Sequence, residues 1–208
     1  METQFIYSKN VLEFATVVAE TCLFLENSRA LAKEDFIQKS VKLLPLLYLK
    51  TTLVDTDELD ADDYAERFVT EEDYLFVKGQ IETLLGADDA FLDTFHPDMQ
   101  YSDTPIAAFI SENLADVYQE LKDFAANYQT AETETMESAL YTCIQAFAEH
   151  WGQKLLNALR ALHALRFSDR FGISDDGDDA FSADEYRKLD RNSFLRFQTE
   201  DDNDDDEI

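Results

Sequence analysis

The chain has 208 residues, 45% of them hydrophobic, enough for one buried core and one main domain. Its 45 acidic and 17 basic residues leave a net charge of −28, which argues against binding to a phosphate backbone, because that needs clustered Lys and Arg. With 5 Gly and 3 Pro it has too few turn residues for an all-β fold, and its stretches of Ala, Leu, Glu, Lys and Gln predict an all-α one.

The opening residues METQFIYSKN lack a basic stretch followed by an apolar one, so no signal peptide is expected. No apolar run reaches membrane-spanning length. A cytoplasmic protein is expected, without membrane contact. Cys22 and Cys143 both fall on apolar helix faces, which predicts buried free thiols rather than a disulfide.

Helix one is predicted from about Thr3 to Glu26, with Phe5, Val11, Phe14, Val18, Cys22 and Leu25 as its stripe. Helix two covers about Lys33 to Leu53, and Pro45 should kink or interrupt it near Leu44. From Val54 to Val69 comes an acidic connection. Its carboxylates could hold calcium, but the glycine and terminal glutamate of an EF-hand loop are missing, so no metal is expected. Thr70 caps helix three ahead of Glu71, Glu72 and Asp73, and Gly86 is its stop. Residues 87–103 are acidic and aromatic, and should fold back on the bundle.

Thr104 and Pro105 read as the cap and first position of helix four, with a seam of Ile106, Phe109 or Ile110, Leu114, Val117, Leu121, Phe124 and Tyr128. Glu112, Asp116, Glu120 and Asp123 lie on one flank, which predicts a solvated face. A turn after Gln129 leads into the longest periodic stretch, about 130–167. Met136, Leu140, Ile144, Phe147, Trp151, Leu155, Ala158, Leu162 and Leu165 repeat there every three or four positions. This stretch predicts one rod of roughly 55 Å at 1.5 Å per residue, antiparallel to helix four and the centre of packing. The rod should overshoot its neighbour by roughly three turns. Leu155, Leu156, Leu159, Leu162 and Leu165 would then need a cover: the 87–103 loop, helix two or a second copy. Ion pairs between that loop and Arg160, His163 and Arg166 are expected.

The expected architecture is an antiparallel bundle of about five helices around the long helix, spanning 1–168. Residues 169–208 carry a net −10 and leave −18 for residues 1–168. They read as an acidic appendage (169–199), with a short helix from Ser182 through Leu189, and a disordered acidic tail (200–208).

No phosphate loop, serine elbow, paired CxxC or HExxH occurs, and His96, His150 and His163 are scattered. No catalytic residue and no cofactor is expected. The best ligand-binding group is Trp151 with Arg160 and His163, joined by Tyr48 and Tyr118. Arg160 and His163 are one turn apart and could meet a carboxylate or phosphate. Gly152 removes a side chain where another backbone could approach. A salt-bridged, packed helix junction explains the same residues more simply.

The strings LLPLLYLK (43–50), TEEDY (70–74), LLGADDAFLDTF (84–95), MQYSDTPIAAFISENLADVYQELKDF (99–124) and HWGQKLLNALRALH (150–163) resemble an uncharacterised family of acidic helical proteins from Bacteroides-like bacteria. That family is known only as a domain of unknown function. The resemblance implies a bacterial cytosolic helical protein and assigns no catalytic residue. The leading expectation is therefore a non-enzymatic protein acting through protein–protein contact, with an unknown partner or with itself. Two alternatives stand beside it. One is an acidic regulator or nucleic-acid mimic that binds a basic protein surface. The other is an enzyme or anionic-ligand binder using the Arg160, His163 and Trp151 region.

Overall fold

A computed structural model describes residues 5–56, 65–93 and 106–168, all within the first of two compact units, Met1–Gly172. The expected helix at 182–189 and the acidic tail lie outside the described residues.

After a 3-10 turn at Phe5–Tyr7, helix α1 runs Lys9–Glu26 and α2 runs Lys33–Thr52. The two are antiparallel: Asn10 Nδ2 donates to the Leu53 carbonyl at 2.8 Å, and Lys50 Nζ meets Glu13 at 2.6 Å. α1 starts later than its sequence predicts, but the stripe is right. Val11, Phe14, Val18, Cys22 and Leu25 are all fully buried. α2 continues through Pro45 without interruption, because the proline sits on the exposed side of the helix.

Helix α3, Glu71–Leu85, begins and ends where its signals place it. Thr70 and Asp73 form a reciprocal capping box, and Gly86 takes φ +58° at the stop, a backbone that favours glycine. The described part of the aromatic connection, residues 87–93, folds back as half of a small ribbon, and residues 94–103 lie outside the described residues. Strand β1, Ala90–Asp93, pairs antiparallel with β2, Ile106–Phe109, and Phe91 lies opposite Ala108. Residues 106–109 were expected in a helix, so helix α4 begins only at Ile110 and ends at Tyr128. Pairing with β1 outweighs local helical propensity there.

Among the described residues α4, not the rod, is the packing centre. It touches α1, α3, the rod and the ribbon, and Ile110, Leu114, Ala115, Val117 and Leu121 are completely buried. Ala131, at φ +58°, makes the corner into the rod. Tyr128 Oη donates to the Ile6 carbonyl at 3.0 Å and pins the first turn of the chain beside that corner.

The rod is helical from Thr133 to Arg166 but not uniformly so. Helix α5, Thr133–Ala146, passes into a π-turn at Phe147–Trp151, then into helix α6, Gly152–Arg166. The Gly152 N–H reaches the Phe147 carbonyl five residues back. The extra residue turns Trp151 fully into the core, and its indole N–H donates to the Cys143 carbonyl at 2.9 Å. Gly152 is needed at this point. A Cβ there would lie 2.5 Å from the Phe147 oxygen and 3.0 Å from its ring. The close approach anticipated from Gly152 is thus made by the rod's own backbone.

The far end of the rod is only partly covered by its own chain, for Leu156 and Phe167 are 37% and 67% exposed. α6 packs on α2 and α4, and Leu155, Ala158 and Leu162 are completely buried.

Gly152→Ala is expected to lower stability by about 1–3 kcal/mol through the forced shift of Phe147. Gly79→Ala, where a Cβ on α3 meets nothing within 4 Å, should raise stability instead. The gain should be about 0.5–1 kcal/mol. Urea midpoints of the two variants should move in opposite directions.

Candidate functional site

The five candidate residues fall into different surroundings. Trp151 and Tyr48 meet through Phe147, whose ring centroid lies 4.6 Å from Trp151 and 5.2 Å from Tyr48, both edge-on. This is the aromatic filling between α2 and the π-turn, and Trp151 has no exposed surface. Tyr118 joins other contacts. Its hydroxyl donates to Glu26 Oε1 at 2.9 Å, and Lys122 Nζ meets the same oxygen at 2.8 Å. Arg160 and His163 are exposed on α6, and His163 leans on the Phe167 ring at 4.7 Å. Trp151 therefore faces the core while Arg160 and His163 face outward. The expected partners of the rod's cations in residues 94–103 lie outside the described residues. One bond from the ribbon to the rod joins Asn157 Nδ2 to Asp93 Oδ2, at 3.4 Å.

The acidic flank of α4 is not a solvated face. Lys78 meets Glu112 at 2.6 Å, Tyr74 Oη donates to Asp116 at 2.8 Å, and Arg67 bonds both Glu120 and Asp123, at 2.9 and 3.1 Å. Moving down α4, the partners climb back along α3 and the segment before it, as an antiparallel pair requires. Lys154 of the rod takes the second oxygen of Asp116 at 3.0 Å. Asp123 also accepts the backbone N–H groups of Phe68 and Val69 at 2.7 and 2.8 Å, and Asn127 Nδ2 donates to the Glu66 carbonyl. α4 thereby holds the segment leading into α3 by its main chain.

A second carboxylate does similar work at the start of α4. That helix has no side-chain cap of its own. Buried Asp89 accepts the Ser111 N–H at 2.7 Å and its hydroxyl at 2.6 Å, while the Asp89 carbonyl accepts the Ile110 N–H at 2.9 Å. Donors that would be orphaned at a helix start are satisfied from across the ribbon, and the negative charge suits the dipole. In sequence Asp89 is one more acid in an acidic loop. Asp123 reads in the sequence as one member of the α4 flank, with nothing to mark it as buried. A lone buried carboxylate leaves no periodic signature.

Burial sets the protonation of the nucleophilic groups. It pushes the Cys22 and Cys143 thiols up, so both stay protonated and unreactive. It also pushes up the phenols of Tyr118, beside Glu26, and Tyr74, beside Asp116. Among the described residues no three His, Cys, Asp or Glu converge as a metal site, and no helix is long and apolar enough to cross a membrane.

This fold and set of contacts define a helical domain that its family groups without an assigned activity. Residues 5–168 match the family described as a domain of unknown function, DUF5063, and the chain belongs to that family. It is similar to the crystal structure of protein BF1032 from Bacteroides fragilis, at 39% identity over 79% of this chain and 97% of that one, with a TM-score of 0.71. No curated protein matches the chain.

Asp123→Ala should cost about 3 kcal/mol, since it strands two main-chain donors and removes one of the two carboxylates that hold Arg67. Hydrogen exchange should show residues 65–70 opening before the rest. Raised thiol and phenol values mean that the folded state keeps protons which the unfolded chain releases near 9.0 and 10.0. Stability from these groups is complete below those values and lost as pH rises above them. Urea midpoints should therefore hold steady up to about pH 8.5 and then fall.

Proposed function

We propose that this is a non-enzymatic bacterial cytoplasmic protein that acts by contact with another protein, through the outward face of α2. The observation that carries the reading is a row of leucines. Leu46, Leu49 and Leu53 are 41%, 53% and 45% exposed and follow at three- and four-residue spacing. Leu12 of α1 is also exposed, and the Asn10–Leu53 and Glu13–Lys50 bonds bring its helix alongside. Exposed leucines are ordinary singly, but a helical row is what a partner helix packs against. Leu75 and Phe76 of α3 are as exposed but adjacent in sequence, so they form no row.

Sequence alone placed the surplus apolar surface at the rod's far end. Leu155 and Leu162 are buried under α2 and α4 and Leu156 stays 37% exposed, so that surplus is smaller than expected. The mimic reading draws on the net charge of −28 and on the α4 flank, and the carboxylates of that flank are bonded within the chain. The small-ligand reading drew on Trp151 acting with Arg160 and His163, and these side chains face different ways.

A photo-crosslinking residue in place of Leu49 is expected to give one discrete adduct in cells. The same residue in place of Glu134, exposed on α5, should give none. Adducts at both positions, or at neither, would remove this reading.

A further inference from the structure

The β1–β2 ribbon has two edges, and they are not alike. The Ile110 N–H bonds to the Asp89 carbonyl at 2.9 Å, so these residues form a hydrogen-bonded pair at the base of the ladder. Bonded and non-bonded pairs alternate along an antiparallel ladder. Phe91 with Ala108 and Asp93 with Ile106 are then bonded pairs, while Ala90 with Phe109 and Leu92 with Ala107 are non-bonded ones. The N–H and C=O groups of these last four residues point away from the ribbon. On the β2 side the Phe109 carbonyl is taken by Asn113 Nδ2 at 2.6 Å. On the β1 side, among the described residues, nothing meets the N–H or C=O of Ala90 or Leu92.

The same four residues share one face, because directly opposed residues point to the same side of a sheet. All four are apolar and exposed, Leu92 at 61% and Phe109 at 39%. The other face turns inward, with Asp93 buried and Phe91, Ile106 and Ala108 half-buried. An apolar strip therefore runs beside a row of unpaired main-chain groups. It is the main chain that selects the occupant. Donors and acceptors alternating along a strand edge are matched by another strand, not by a helix, whose own groups are bonded internally. The β1 of a second copy offers such an edge but brings a second net charge of −28 with it. An extended segment without net negative charge, apolar at alternate residues, satisfies the edge and covers the strip.

We infer that the free edge of β1 accepts a third strand, an extended segment of a partner protein that bonds the main chain of Ala90 and Leu92 and lays apolar side chains beside Leu92. This site does not use the leucine row of α2 and stands or falls separately from it.

The test uses the full chain and a short labelled peptide that alternates Val and Thr between terminal lysines. In the chain alone, the Ala90 and Leu92 amides should exchange with solvent faster than the Phe91 amide, and the peptide should slow both. Fluorescence anisotropy should show saturable binding below about 1 mM. The same peptide with every main-chain nitrogen methylated keeps its side chains but loses its donors, and should bind at least about tenfold more weakly. Leu92→Pro removes an outward donor without touching a ladder bond, and should weaken the unmethylated peptide by about tenfold while Phe91 stays protected. Equal binding of the two peptides, or of neither, would overturn the proposal, and this comparison does not depend on how the proline variant folds. Slow exchange at Ala90 and Leu92 in the chain alone would overturn it by showing the edge already covered. Protection that grows with protein concentration would overturn it in favour of a second copy.

Discussion

A central helix that carries charge has to have every charged group answered by its neighbours. α4 is that helix. Its apolar side, Ile110, Leu114, Val117, Leu121 and Phe124, builds the core against α1 and the rod. Its other side carries Glu112, Asp116, Glu120 and Asp123, which α3 and the preceding segment cover. Buried carboxylates without partners would cost more than the packing returns. The positions of Arg67, Tyr74, Lys78 and Lys154 are fixed by that requirement. Asp123 extends the rule to the main chain by taking two N–H groups from a segment with no regular structure. The same contacts set the register of α3, orient the rod, and bond within the chain an acidic stripe that its sequence leaves to solvent.

The ends of the helices follow the same logic. α3 is capped locally by Thr70 and Asp73, three residues apart. α4 is capped by Asp89, twenty-two positions before Ser111, through a two-stranded ribbon that exists to bring them together. Lys33, at the start of α2, reaches the Leu85 carbonyl at the end of α3 at 2.6 Å and also pairs with Asp88. Among the described residues, the start of α2 and the end of α3 are thus joined by polar groups, as Asp89 joins the ribbon to α4. A surface left after all these demands are met is informative. On α2 it is the row Leu46, Leu49 and Leu53.

Legibility divided along physical lines. The all-α class, α1's stripe, α3 from Thr70 to Gly86, the hairpin of α4 with the rod and the buried thiols all follow from patterns spanning a few residues. Period, cap and composition act locally, and a single chain displays them. The ligand-binding group was legible only as a set of residue types. Trp151 turned inward because a π-turn added a residue ahead of Gly152, while Arg160 and His163 stayed on the outer side of α6.

By itself the sequence determined the helical class, most boundaries of the described helices, the family and the charge, because each is written in short-range spacing or in composition. Tertiary structure decided that α4 rather than the rod would be central and that residues 106–109 would be a strand. It also decided which carboxylates would be consumed in holding the bundle together and which leucines would be left in water. Those outcomes depend on what lies opposite each residue, and an antiparallel neighbour or a ribbon partner is set by packing, not by the spacing along one helix.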